Sequence, residues 1–219
     1  MERFGVTSRR TGETDVETSI LIDGEGLASL STGIGFFDHM LNLLAKHGLF
    51  DINVDCKGDL EVDAHHSVED VGICFGQAIK KALGSKAGIK RYGNFTVVMD
   101  EALATVNLDV SGRPFLKFDA PFVGTRCGDF DVQLTEEFFR GVAMEGGLTL
   151  HMKVEYGKND HHMIEALFKA FARALDMATQ MDGRFDGVPS TKGVYRDMQG
   201  SSDLTNQLLI TLFSLLSTI

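Results

Sequence analysis

Four of the chain's seven histidines fall in two adjacent pairs, each followed by a glutamate at the same spacing: His65-His66-Ser67-Val68-Glu69 and His161-His162-Met163-Ile164-Glu165. In a helix, residues four apart share a face, while neighbours are turned by about 100°. His65 and Glu69 can therefore hold one ligand and leave His66 for a second. The same holds for His161, Glu165 and His162. Imidazole plus carboxylate is the donor set of Mn, Fe, Co, Ni or Zn, and no nearby thiolate biases the choice toward structural zinc. One His beside one Glu is usually a surface or capping pair, but two matched copies point to metal. His39, in Phe37-Asp38-His39-Met40, and His151, within the alternating run 148–154, could each add a ligand from its own half. One pseudo-symmetric arrangement gives one metal His65, Glu69, His151 and His162, and the other His161, Glu165, His39 and His66. The expectation is the pool of eight; the pairing stays open. His47, before Gly48, reads as a helix C-terminal residue stabilised by the helix dipole.

The elements that must hold these residues occur twice. The offset that carries His65 to His161 also carries Val68 to Ile164, Val71 to Leu167, Phe75 to Phe171, Ala78 to Ala174 and Ile79 to Leu175. Spacings of three and four mark one buried helix face. Upstream, Phe36-Phe37 and Phe138-Phe139 each open a helical stretch that leads through glycine into an alternating run. Helices are expected at 36–47, 65–83, 135–145 and 161–180. Strand candidates are 18–22, 49–55, 96–99, 104–110, 115–118 and 148–155, and the repeat unit is read as strand, strand, helix, strand, helix. The expected fold is α+β, an internally duplicated unit with pseudo-twofold symmetry that sets sheets against helices. Residues 1–88 form the first half-repeat, 89–194 the second, and 195–219 an atypical apolar C-terminal extension. The seam at 84–88 is too short for a flexible linker.

A length of 219 residues fits one ordinary domain or two small fused halves. With 43% hydrophobic and 24% charged residues, the chain reads as globular rather than disordered. A formal charge of -10 argues against a nucleic-acid surface, which needs a basic face. A small anionic substrate remains compatible, because a few cations reverse the field inside a cleft. Cys56, Cys74 and Cys127 make no CxxC pair, which suits a reducing compartment. Residues 1–6 lack an apolar signal core, and nothing before residue 204 reads as a membrane span, so the expected location is cytoplasmic.

Three basic segments lie outside the metal pool: Lys90-Arg91-Tyr92-Gly93, Ser111-Gly112-Arg113-Pro114 and Pro189-Ser190-Thr191-Lys192-Gly193. With Lys169, one turn beyond Glu165, they offer the cations, hydroxyls and backbone donors of a phosphate site. Taken singly, each is more often a turn or a solvated lysine.

Together these stretches resemble imidazoleglycerol-phosphate dehydratases. The likeness rests on Phe37-Asp38-His39-Met40-Leu41, His65-His66-Ser67-Val68-Glu69-Asp70, Met99-Asp100-Glu101-Ala102-Leu103, Ser111-Gly112-Arg113-Pro114, the Asp160–Lys169 region and Pro189–Gly193, in order from about residue 3 to 194. The resemblance implies dehydration of D-erythro-imidazole glycerol phosphate to imidazole acetol phosphate in histidine biosynthesis. It implies two Mn2+ per active site and a large homo-oligomer, in the family pattern a 24-mer built from trimers, with sites assembled at subunit interfaces. It also implies helices packed between two β-sheets. The ligands it suggests are His39, His65, His66, Glu69, His151, His161, His162 and Glu165. Phosphate contacts would fall on Arg91, Arg113, Lys169, Ser190 and Lys192, and Glu13 matches the family's acid/base glutamate.

The chemistry explains a need for metal. No carbonyl activates the proton to be removed, whereas coordination can stabilise the substrate ring as an imidazolate and drive elimination through a diazafulvene-like species. Glu13 or a metal-bound water would relay protons while the basic residues fix orientation. A dinuclear phosphoester hydrolase and a metal-buffering oligomer are the competing readings. The apolar stretch 204–219 departs from the family pattern. It is short of the roughly 20 residues a spanning helix needs and reads as a helix packed on the assembly surface, with an unstructured tail as the alternative.

Overall fold

The computed structural model describes residues 2–184 and 186–191. The expected C-terminal helix and Lys192 lie outside the described residues.

The first half runs β1 (Phe4–Arg10), β2 (Thr14–Leu21), β3 (Ala28–Ser31), α1 (Gly35–Gly48), β4 (Asp51–Gly58) and α2 (His65–Leu83). The second runs β5 (Tyr92–Met99), β6 (Ala102–Asp109), β7 (Phe115–Asp119), β8 (Arg126–Cys127), β9 (Phe130–Asp131), α3 (Leu134–Gly146), β10 (Thr149–Tyr156) and α4 (Asp160–Thr179). The first sheet has the order β1-β2-β4-β3 and the second β5-β6-β10-β7, so the two are topological copies. In each, a hairpin pairs antiparallel with the strand before the last helix, and a short edge strand joins parallel through a helical crossover. The α+β expectation and the helices between two sheets are observed.

Each sheet is apolar on one face. Ile52, Val54 and Cys56 of β4, and Leu150, Met152 and Val154 of β10, point inward and are buried. Their neighbours point to the outer face, as the two-residue period of a strand requires. Helix α2 covers β1 and β2 while α4 covers β5 and β6; α2 packs on α3, and α4 on α1. Rings from both halves meet in the middle. Phe138 lies 5.3 Å from Phe37, 6.2 Å from Phe75 and 5.4 Å from Phe168, centroid to centroid.

The structure adds strands that the pattern did not announce. β1 alternates only through Gly5 and Thr7, and β3 is a four-residue edge with no buried side chain, so neither carries an apolar period. Each four-stranded sheet therefore has three of its strands before the first helix of its half. The β8–β9 ribbon is an addition of the second half alone, and it delivers a fully buried Phe130 against Phe36 and Phe37. Phe138-Phe139 does not open α3, which begins at Leu134. Both helices end in left-handed residues, Leu49 and Gly147, with Phe50 N–H donating to Ala45 O and Leu148 N–H to Ala143 O. With those ends in register, Met40-Leu41 is the counterpart of Phe138-Phe139, one turn away from Phe36-Phe37.

Candidate active site

The N-terminus of α4 is fixed by Asn159, whose side chain accepts from His161 N–H at 3.0 Å. Asp63 does the same at α2, accepting from His65 N–H at 2.7 Å. These caps set each histidine pair in the first turn. One turn into α4, Glu165 Oε2 lies 3.3 Å from His161 Nε2 and 3.6 Å from His39 Nε2, which arrives from the first turns of α1. The Phe36 ring meets His161 edge-on with centroids 5.1 Å apart. Glu165 is only 6% exposed. Burial pushes its carboxyl upward, but the hydrogen bond and charge of Lys169, with His39 and His161 behind them, hold it below the ordinary glutamate value. Lys169 Nζ stands 2.5 Å from Glu165 Oε1.

His39, His161 and Glu165 thus offer two imidazoles and a buried carboxylate whose ligand atoms lie within 4.8 Å of one another. They are the one such group among the described residues. Nitrogen and carboxylate oxygen without thiolate suit Mn2+ or a similar divalent ion. His65 and Glu69 gain no third donor of this kind among the described residues. His65 instead borders a cavity of about 150 Å³ with Asp63, Arg126, Asp129, Asp131 and Gln133.

The second histidine of each pair faces carboxylates. His66 Nδ1 lies 3.0 Å from Asp59 Oδ2, and its Nε2 is 3.8 Å from Glu13 Oε2. His162 Nδ1 lies 2.7 Å from Glu101 Oε2, and its Nε2 is 3.9 Å from Asp100 Oδ2. Hydrogen bonding to Asp59 raises the His66 pKa, as Glu101 raises that of His162. Glu101 is lowered to about 2, first by His162 and then by the Asn159 amide. Glu13 precedes β2 just as Glu101 precedes β6, so the two glutamates correspond in the repeat. Asp59 was not among the residues the sequence marked, and Glu101 stood only within the Met99–Leu103 stretch of the resemblance, with no role assigned to it. Extending the repeat from the helices to the hairpins would have exposed Glu101. Glu13 itself is carried on a tied hairpin: Thr11 Oγ1 accepts from Glu13 N–H at 3.1 Å, and Thr14 donates to the buried Asp70.

The anion-binding residues divide between two places. Arg91 donates to Asp109 at 2.7 and 3.1 Å and to Pro189 O at 2.7 Å, and Arg113 reaches Asp109 at 3.5 Å. Ser190 adjoins that proline, so Arg91, Arg113 and Ser190 gather at one end of the second sheet, the edge where β5 and β7 begin and β6 ends. Arg91 N–H donates to Ala178 O, in the last turns of α4. At about 1.5 Å per residue, that point is roughly 20 Å along the helix from Glu165. Lys169 stays beside Glu165. His151 pairs with Asn107 and Lys117 on the outer face of the sheet and packs near the Phe115 ring, away from the helices and the His39–His161–Glu165 group. It borders a groove of about 340 Å³ with Tyr92, Asn94, Asn107 and Asp109. His47 is in the last turn of α1, as expected. Burial and then the Lys169 charge lower its pKa, opposing the charge that the helix end would favour.

The model of the family described as imidazoleglycerol-phosphate dehydratase matches residues 32–175. An imidazoleglycerol-phosphate dehydratase of Acetivibrio thermocellus is 62% identical over 194 residues, covering 89% of this chain and 100% of that protein. One from Clostridium botulinum is 57% identical, covering 88% and 98%. Among solved structures, the Staphylococcus aureus imidazoleglycerol-phosphate dehydratase superposes with TM-score 0.75 at 39% identity, covering 82% of this chain and 99% of that one. That of Pyrococcus furiosus, in complex with (S)-C348, gives 0.74 at 34% identity, with 86% and 99% covered.

Proposed function

The chain belongs to the imidazoleglycerol-phosphate dehydratase family, hydro-lyases of histidine biosynthesis, and from that premise we propose a metal-dependent dehydration with two Mn2+ per active site. The substrate is D-erythro-imidazole glycerol phosphate and the product imidazole acetol phosphate. The observation that carries the metal reading is the His39–His161–Glu165 group. His65, His66, Glu69, His151 and His162 complete the proposed ligand set. Bound manganese would supply the Lewis acidity that favours the imidazolate form of the substrate ring.

The chain's own residues do the rest. The hydroxyl leaves from the carbon beside the ring, a proton leaves the next carbon, and the resulting enol becomes the ketone. Glu13 serves as the acid/base group. Its carboxylate is 57% exposed, on a hairpin tied to α2, and within 3.8 Å of His66 Nε2. Arg113, with half its side chain open to solvent, and Lys169, Ser190 and Lys192 hold the phosphate. Arg91, tied to Asp109 and Pro189 O, supports the same cradle. Held at both ends, the substrate meets Glu13 in a fixed orientation, which is where such positioning lowers the barrier.

A phosphate ester this small cannot reach across the roughly 20 Å that separates the metal donors from the Arg91–Arg113 edge along α4. The outward His151 belongs to that same edge. We therefore read each site as built from two copies, within a large homo-oligomer of the 24-mer type. Residues 1–88 and 89–194 are its two half-repeats, and its location is cytoplasmic, with the other enzymes of amino-acid biosynthesis. No helix among the described residues is long and apolar enough to cross a membrane.

Incubating the purified protein with imidazole glycerol phosphate, with Mn2+ stripped and then restored, tests the proposal. The expected result is a ketone, no free phosphate, and activity that follows the metal. Phosphate release would identify a metallohydrolase instead, and full activity after stripping would contradict the metal role.

A further inference from the structure

Metal ligation by histidine requires a neutral ring whose bare nitrogen faces the ion, so something must hold the proton on the other nitrogen. His66 and His162 each have a carboxylate against Nδ1. Asp59 approaches with both oxygens, at 3.1 and 3.0 Å, and Glu101 with Oε2 at 2.7 Å. An ionised carboxylate only accepts, which places the proton on Nδ1 and leaves Nε2 bare. Glu101 is also built into the backbone. Its Oε1 accepts from Lys158 N–H at 3.2 Å and from Asn159 N–H at 2.8 Å, at the entrance to α4. One carboxylate thus ties the β5–β6 hairpin, the start of α4 and the His162 ring together. Asp59 is fixed from its own backbone, whose N–H donates to Glu13 O at 3.1 Å.

We propose that Asp59 and Glu101 are matched positioning residues that set the tautomer and ring orientation of His66 and His162, so that both present Nε2 to metal. The two halves reach this arrangement differently. The first half recruits Asp59 from just beyond β4. The second uses the hairpin glutamate, whose counterpart in the first half is Glu13. That difference leaves Glu13 free for the reaction, while Glu101 is committed to support. Carboxylates behind ligating histidines are a general feature of metal sites, and their loss typically weakens metal binding 10- to 100-fold.

The inference rests on the metal reading above, and its test separates the two. Metal-free full-length wild type, Glu101→Gln and Asp59→Asn are titrated with Mn2+, reading free metal by its paramagnetic resonance signal, and the melting temperature of each metal-free protein is taken alongside. Glutamine at 101 can offer its carbonyl either to the backbone amides or to His162. With the carbonyl on the backbone, its NH2 meets Nδ1 and favours the tautomer whose Nε2 carries the proton. The expected result is Mn2+ affinity about tenfold or more weaker in both variants, with unchanged metal-free melting. Variants that bind as tightly as the wild type would overturn the proposal. So would affinity lost only in step with metal-free stability, which would make both carboxylates merely structural. A wild type that binds no Mn2+ would overturn the metal reading itself.

Discussion

Glu165 is a buried carboxylate with two imidazoles on one oxygen and an ammonium on the other. Such a group is costly to bury alone and is tolerated because its partners match it. Lys169 therefore has two duties, neutralising Glu165 here and holding phosphate in the proposed reaction, and both need its position one turn along α4. Glu13 has no such commitment, which suits a group that must exchange protons. Glu13→Gln should lower kcat by at least about 100-fold, in the range of a lost general acid/base, and leave the manganese content of the purified protein unchanged. Metal lost together with activity would instead make Glu13 part of the metal's support. The His-His-x-x-Glu pairs were legible in the sequence because their spacing is local and helical. His39 was named as a donor, but its meeting with His161 and Glu165 depends on α1 packing against α4. Glu101 acts from the β5–β6 hairpin, far from His162 in sequence, and Asp59 lies just beyond β4, outside the helix that carries His66, so no helical periodicity announces either.

The elements are held at their spacing by glycines that allow helix and sheet to touch. A Cβ on Gly5 would lie 2.0 Å from Ala78 O, and one on Gly93 would lie 1.9 Å from Ala174 O. The same contact therefore sets α2 on β1 and α4 on β5. Gly72, Gly76 and Gly141 allow a similarly close crossing of α2 and α3. The cost of adding a methyl group is overpacking against backbone, which cannot rotate away. Gly93→Ala should destabilise the protein by about 1–3 kcal/mol or more, seen as a lower melting temperature, whereas Gly12→Ala, with open space at its Cβ, should melt like the wild type. The four helices were legible because each has a full apolar stripe. The edge strands β1 and β3 of the first sheet were not, since β1 lacks an apolar period and β3 buries no side chain and is defined by its parallel pairing to β4. The Phe36-Phe37 match with Phe138-Phe139 misled for a related reason: a similar doublet one turn away satisfies the same helical period.

At the scale of the whole molecule, duplication has produced two similar scaffolds with unlike equipment. The second half carries the β8–β9 ribbon, the Arg91–Arg113 edge and the outward His151, while Glu13 belongs to the first. His39, His161 and Glu165 sit where the helices begin, with Lys169 beside them, while Arg91, Arg113 and Ser190 gather where α4 ends. The repeat and its two sheets could be read from the chain because both halves keep the same apolar pattern. The division of the site could not, because it depends on which end of each strand and helix a residue occupies. The central proposal is that each active site joins the metal end of one copy to the anion edge of another. Its most direct test is complementation between two inactive variants, His39→Ala and Arg113→Ala, co-expressed in equal amounts and purified as one mixed oligomer. Shared sites predict recovery of about a quarter of wild-type activity, the fraction of interfaces that unite two intact halves by random mixing. A mixed oligomer no more active than either variant alone would contradict the claim and place the whole site within one chain.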